Sequence, residues 1–132
     1  MAERTEYHIN LDVKFAPLEL IDLPGLVEEC SEDWFNQTLT RVNDSVVRLG
    51  ILKGEFHWHE HNDEDEFFFP YTLDFRGRVY ARLIIDVEGR DSVSLGPKQG
   101  FTVPKRVMHR TRAPEGVVVL MVEGTGVVPM GD

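Results

Sequence analysis

The stretch His57-Trp58-His59-Glu60-His61-Asn62-Asp63-Glu64-Asp65-Glu66 gathers three imidazoles and a run of carboxylates into one short segment. Side chains on an extended strand alternate between its two faces, so His57, His59 and His61 are expected on one side, with Trp58 and Glu60 on the other. Phe56 and Trp58 are too apolar for a free surface hairpin, which argues that this segment belongs to a sheet with an interior. Each strand residue rises about 3.3 Å, so His59 and His61 start about 6.6 Å apart, and their rings can converge on one ion at about 2.0–2.1 Å. Asn62-Asp63-Glu64-Asp65 reads as a polar turn, and Glu66 follows it as a third candidate ligand. His109, at the end of Phe101-Thr102-Val103-Pro104-Lys105-Arg106-Val107-Met108-His109, is the fourth. By parity His57 faces inward with the ligands, as a donor supporting them or as a core residue with a satisfied ring.

This set resembles the cupin superfamily in its small single-domain, RmlC-like form. The first cupin motif, G-x5-H-x-H-x(3,4)-E-x6-G, has its centre in His59, His61 and Glu66, and the second, G-x5-P-x-G-x2-H-x3-N, has its centre in Pro104 and His109. The resemblance implies a double-stranded β-helix, a jelly-roll barrel, with metal ligands at those four positions. Some motif positions depart. Gly54 stands one place late and Gly77 four places late in the first motif, which predicts a lengthened hairpin after Glu66. Lys98 and Arg106 replace glycines of the second motif and Ala113 its asparagine, so Gly96 and Gly100 are expected to carry that turn. The likeness runs from about Val46 to about Glu123.

The rest of the chain agrees with a barrel. A short helix is expected around Asp22–Cys30, with Asp22 as cap and Pro24 in the first turn. Strands are expected over Val46–Lys53, Glu55–His61, Glu66–Phe75, Arg78–Val87, Asp91–Leu95, Gly100–Val103 and Val117–Val122, all rich in β-branched or aromatic residues and divided by Gly, Pro or Asn/Asp. The fold class is therefore all-β, a jelly-roll barrel with a short N-terminal helix, in one domain over 1–132. An N-terminal segment, 1–44, precedes a barrel core of about 45–124. Outward Phe56, Trp58, Phe67 and Phe69 would need cover, either from the N-terminal segment or from a second subunit, and a homodimer is the expectation, as the resemblance also implies. Phe68, Tyr80 and Met108 are candidates for the cavity wall.

Composition narrows the partners. A chain of 132 residues with 42% hydrophobic content can bury a core without metal or disulfide staples. A net charge of −9 repels phosphate backbones and anionic lipid, so neither nucleic acid nor membrane is an expected partner. The longest apolar run, Val117–Val122, falls far short of the roughly 20 residues that cross a bilayer. The single cysteine, Cys30, reads as a small buried hydrophobe, and an N-terminus lacking a basic region followed by an apolar one points to the cytoplasm.

Three neutral imidazoles and one carboxylate suit zinc, iron, manganese, nickel or copper alike, so one divalent transition metal is expected with its identity open. Four protein ligands on a six-coordinate ion leave two adjacent positions for water or a bidentate substrate. Two readings follow. One is a metal-dependent enzyme acting on a small polar molecule, of dioxygenase or isomerase type; the other is a non-catalytic metal or small-ligand binding module. Fold alone does not choose between them.

Overall fold

The computed structural model describes residues 7–70, 82–127, 129 and 131. The far ends of the strands expected over 66–75 and 78–87 lie outside these residues, as do Gly77 and Tyr80. The described chain runs β1 (His8–Asn10), α1 (Leu23–Glu29), β2 (Phe35–Val42), β3 (Ser45–Glu55), β4 (Glu66–Pro70), β5 (Leu83–Val87), β6 (Val93–Leu95), β7 (Phe101–Val103) and β8 (His109–Gly124). The class is all-β with one short helix, as the residue pattern predicts. Asp22 stands at the helix N-cap but makes no side-chain capping bond; its main-chain carbonyl accepts from Leu26 N–H at 3.2 Å, and Pro24 lies in the first turn.

The strands join in the order β1-β2-β3-β8-β4-β7, with β5 pairing both β6 and β8. β1 runs parallel to β2, and the other pairs are antiparallel. β8 is the spine of this arrangement. Its later half lies between β3 and β4, with Glu123 opposite Val46 on one side and Glu66 on the other, and its first residues pair with β5. Sandwiched in this way, the consecutive residues Val117, Val118 and Val119 are all fully buried, and they join Leu39, Leu49, Ile51, Leu83 and Ile85 in the core. The strand expected from Val117 starts instead at His109 and runs on through Pro114 and Gly116. Here the pairing with β3 shifts register between Leu52 and Gly54, so the exposed Pro114 and Glu115 sit where no ladder bond is demanded.

Strand β2 falls within the segment read as N-terminal to the barrel, yet it pairs along most of β3 and buries Asn36, Gln37, Thr38 and Leu39. A tight turn links the two strands, with Asn43 at φ 51°.

The second-motif turn differs from expectation. Gly96 and Gly100 do not take the left-handed conformation; Lys98 and Arg106 do, at φ 66° and 65°, in the places where the family motif has glycine. Their main chains are held by Lys98 N–H donating to Pro70 O at 2.8 Å and Arg106 N–H donating to His61 O at 2.7 Å. A side chain in this region carries a penalty of about 1–2 kcal/mol that glycine escapes. Lys98→Gly is therefore expected to stabilise the chain by about 1 kcal/mol in thermal or urea unfolding. Arg106→Gly should gain less, because the Arg106 guanidinium also donates to Asn62 O at 3.2 Å.

The aromatic residues expected on an outer face divide. Phe56 is buried, stacked on Trp34 at 5.5 Å between ring centres and met edge-on by Tyr7 at 4.9 Å, so the N-terminal segment supplies its cover. Phe67 and Phe69 are half-buried and stack on one another at 6.1 Å. Trp58 is exposed beneath the Arg110 guanidinium, 5.1 Å from its ring centre.

Candidate metal centre

β3 ends at Glu55, and the segment after it is not the regular strand that parity assumed. It touches β8 and the loop before it through separate contacts: Phe56 N–H donates to Thr111 O, His59 and His109 exchange both main-chain hydrogen bonds at 2.9 Å, and His61 O accepts from Arg106. The alternation therefore slips at its start. Phe56 turns in, and His57, expected inward, is exposed with its ring 4.1 Å from that of Phe56. From His59 onward the pattern holds, and His59 and His61 are both buried.

Glu66 opens β4 and His109 opens β8, so the two strand ends carry these residues to the paired histidines. His59, His61, Glu66 and His109 are all buried, and each offers one ligand atom within 4.8 Å of the others. Donors bound to one ion at about 2.0–2.2 Å lie roughly 3–4.3 Å apart, so shifts of a few tenths of an ångström would close the set. His61 Nε2 and His109 Nε2 stand 3.4 and 3.3 Å from the same oxygen, Glu66 Oε1.

The main chain fixes the ring orientations. His59 Nδ1 lies 3.0 Å from His57 O and His109 Nδ1 lies 2.9 Å from Val107 O. A ring that donates Nδ1–H to a carbonyl keeps its Nε2 lone pair for a metal. His57 thus supports the centre through its main-chain carbonyl, and its exposed ring lies 5.3 Å from that of His59, centre to centre.

Electrostatics suit the same task. Burial pushes the His59 imidazole down to about 4, and the neighbouring imidazole of His109 adds to the effect, so the His59 ring is neutral at pH 7. Burial opposes ionisation of Glu66, but hydrogen bonds from His109, His61 and Glu123 outweigh it and hold this carboxyl below the usual carboxylate range. A histidine whose pKa falls on folding binds fewer protons in the native state than in the unfolded state. Its unfavourable contribution is absent above pH 6.5 and grows as pH falls toward 4. Metal-free protein is expected to lose stability across that window in thermal melts, and His59→Asn should flatten the slope.

Beside the four residues lies a cavity of about 30 Å³, lined by Trp34, Asn36, Phe56, Phe68, Thr111 and Pro129 among others. That is room for a water or two. Phe68 is thus a wall residue as expected, while half-buried Met108 lies outside the lining. Gly131, at φ 99°, packs so closely that a Cβ on it would stand 2.6 Å from His59 Cβ. A larger cavity, about 500 Å³, is lined by His8, Lys14, Leu26, Cys30 and Phe35 and shares no wall with the first. The smaller is the functional candidate, because the group of convergent ligand atoms found among the described residues lies beside it.

Sequence reasoning missed Arg48 and Glu123, both buried behind Glu66. Their signal was a charge at an inward position of a strand otherwise made of valine and leucine.

No protein-family profile matches the chain. The fold and the His-His-Glu-His group define a small cupin, and the chain belongs to the cupin superfamily. It is 32% identical over 102 residues to the uncharacterised protein YdbB of Bacillus subtilis strain 168, spanning 77% of this chain and 83% of that one. A cupin-2 domain containing protein from Shewanella frigidimarina superposes with a TM-score of 0.69 at 25% identity, over 80% of this chain and 94% of its own. DMSP lyase DddQ from Ruegeria pomeroyi shares the fold at 16% identity and a TM-score of 0.56, over 70% of this chain and 47% of its own.

Proposed function

We propose that this cupin binds one divalent transition metal through His59, His61, Glu66 and His109, and that it is a metal-dependent enzyme acting on a small polar molecule with oxygenase- or isomerase-type chemistry. The observation that carries the reading is the buried four-residue group with all its ligand atoms within 4.8 Å. Core packing gives no reason to collect three imidazoles around a carboxylate in a dry interior, where unpaired polar groups are costly. Neutral imidazole and carboxylate donors fit zinc, iron, manganese, nickel or copper. Such an ion, when bound, supplies Lewis acidity toward a carbonyl, hydroxyl or water oxygen. Around it the chain's own residues orient the ligands through the His57 and Val107 carbonyls, and the walls of Trp34, Phe56 and Phe68 exclude bulk water.

The small volume of the cavity favours a second reading, a metal or small-ligand binding module without catalysis. No helix among the described residues is long and apolar enough to cross a membrane. We place the protein, with its one cysteine, in the cytoplasm as a single-domain homodimer. The surface best suited to pairing is now the N-terminal segment, where Leu11, Val13, Leu18 and Leu20 are exposed. A monomer mass in sedimentation at micromolar protein would overturn the dimer.

Elemental analysis of untagged protein purified without chelator tests the metal reading. About one metal per chain is the expected result, and no metal after reconstitution would overturn it. Oxygen consumption with iron or manganese, and isomerase screens with zinc or nickel, then separate enzyme from binding module.

A further inference from the structure

Asn36 on β2 stands directly opposite Gly50 on β3, and residues paired in this way share a face of the sheet. A Cβ on Gly50 would stand 2.8 Å from Met121 Cε and 3.0 Å from Val119 Cγ1, so that face looks into the core. Asn36 is 4% exposed, yet its Oδ1 has no hydrogen-bond partner among the described residues. The adjacent Gln37 shows the contrast of an amide that serves the fold: its Nε2 donates to Asp12 O at 2.9 Å and to Thr38 O at 2.8 Å. Asparagine is a poor strand former, and a buried carbonyl left unpaired is costly, so Asn36 calls for a reason outside the fold.

That reason lies in what the residue borders. Asn36 lines the small cavity together with His59 and Glu66, so its amide and two of the four ligand residues face one space. Most of the remaining wall is apolar or aromatic, from Leu52, Phe56, Phe68 and Met121. A volume of about 30 Å³ takes two water-sized groups at about 10–15 Å³ each, the room needed by one carbon and one hydroxyl. A carbonyl oxygen only accepts, so the group that meets it must donate, and a carboxylate or phosphate oxygen there would be repelled. An ammonium also donates, but a divalent ion with three neutral imidazoles and one carboxylate keeps a net positive charge and disfavours it.

We propose that Asn36 selects the ligand of the metal centre, its Oδ1 accepting a hydrogen bond from the hydroxyl of a small α-hydroxy carbonyl or carboxylate compound whose other oxygen binds the ion. The inference rests on the metal reading above and narrows its small polar molecule to one class.

The test titrates cobalt(II)-loaded protein with sodium glycolate and with sodium acetate, probes that differ by one hydroxyl, and follows the visible absorption of the ion. Chelation by glycolate is common to wild type and variant, so the change in the glycolate-to-acetate ratio reads the amide alone. Asn36→Leu keeps volume and should lower glycolate affinity about 10-fold while acetate stays within about twofold. Cobalt uptake should persist, and the metal-free variant should melt at or above the wild-type temperature, because an unpaired buried polar group has been removed. Asn36→Ala cannot overpack and reads the same ratio should the leucine variant fail to fold. An unchanged ratio in either folded variant, or no binding of glycolate to the cobalt-loaded wild type, would overturn the inference and leave the metal reading intact. Equal loss of both probes with a lowered melting temperature would overturn it too, since the amide would then serve the fold. Failure of the wild type to take up cobalt would overturn both readings.

Discussion

Glu66→Gln is expected to weaken metal binding by about 100- to 1000-fold while the chain remains folded. Four-ligand sites in small proteins bind with roughly 10–16 kcal/mol, so one ligand of four accounts for about 3–4 kcal/mol. Glutamine matches glutamate in volume and keeps an oxygen for His61 and His109 to face, so packing at this 5%-exposed position is preserved. What is lost is the negative charge that partly neutralises the ion. Thermal unfolding gives a second readout. Metal at 1000 times its dissociation constant adds about 4 kcal/mol to wild-type stability, and the same concentration should add only about 0.4–1.4 kcal/mol to the variant. His59→Ala should behave likewise in metal content. Full occupancy in either variant would show that the ion, if any, sits elsewhere.

Asp86→Asn should have the largest effect on stability away from the centre. Asp86 is 6% exposed and accepts from Arg112 Nε at 2.6 Å, Arg112 Nη2 at 2.9 Å and Arg110 Nε at 2.8 Å, and from the Ser92 hydroxyl. The hydrogen bond from Arg112, helped by those of Ser92 and Arg110, overrides the opposing effect of burial and holds its carboxyl well below the usual carboxylate range. Asparagine cannot accept at two charged forks and would present an N–H to a guanidinium. We expect a loss of about 2–3 kcal/mol at pH 7, the scale of hydrogen bonds to charged groups. The sign with pH is defined. A depressed carboxylate stabilises the fold above its unfolded pKa of about 3.9, and that contribution fades as pH falls further. Wild type and variant should therefore converge in acid. Arg110 and Arg112 follow His109 directly on β8, and Arg110 also caps Trp58, so the same substitution should loosen the approach of β8 to the histidine segment.

Much of this was legible in one dimension. His59, His61 and Glu66 lie close in sequence, and a strand followed by a polar turn is enough to put them near each other. His109 could be paired with them only through the spacing of a family motif, since no local rule reaches across so many residues. Three features were hidden. The reversal at Phe56 and His57 arises because Tyr7 and Trp34 offer Phe56 an apolar seat, and that tertiary gain overrides alternation. The left-handed turns at Lys98 and Arg106 are imposed by main-chain hydrogen bonds to Pro70 and His61, which residue identity does not announce. Glu123 looked like the end of a hydrophobic strand, and its inward direction became evident only from its register with Glu66.

The position of β8 has a kinetic consequence. Every neighbour that β8 needs, β3, β4 and β5, lies far back in the chain, and such nonlocal closures slow folding because loop entropy must be surmounted before contacts repay it. His109 begins that strand, so the centre completes itself only once the last long strand has docked. Release of a bound ion would then follow one of two clocks, partial detachment of the first residues of β8 or global unfolding, and only the first is fast enough to exchange metal within the life of a folded molecule.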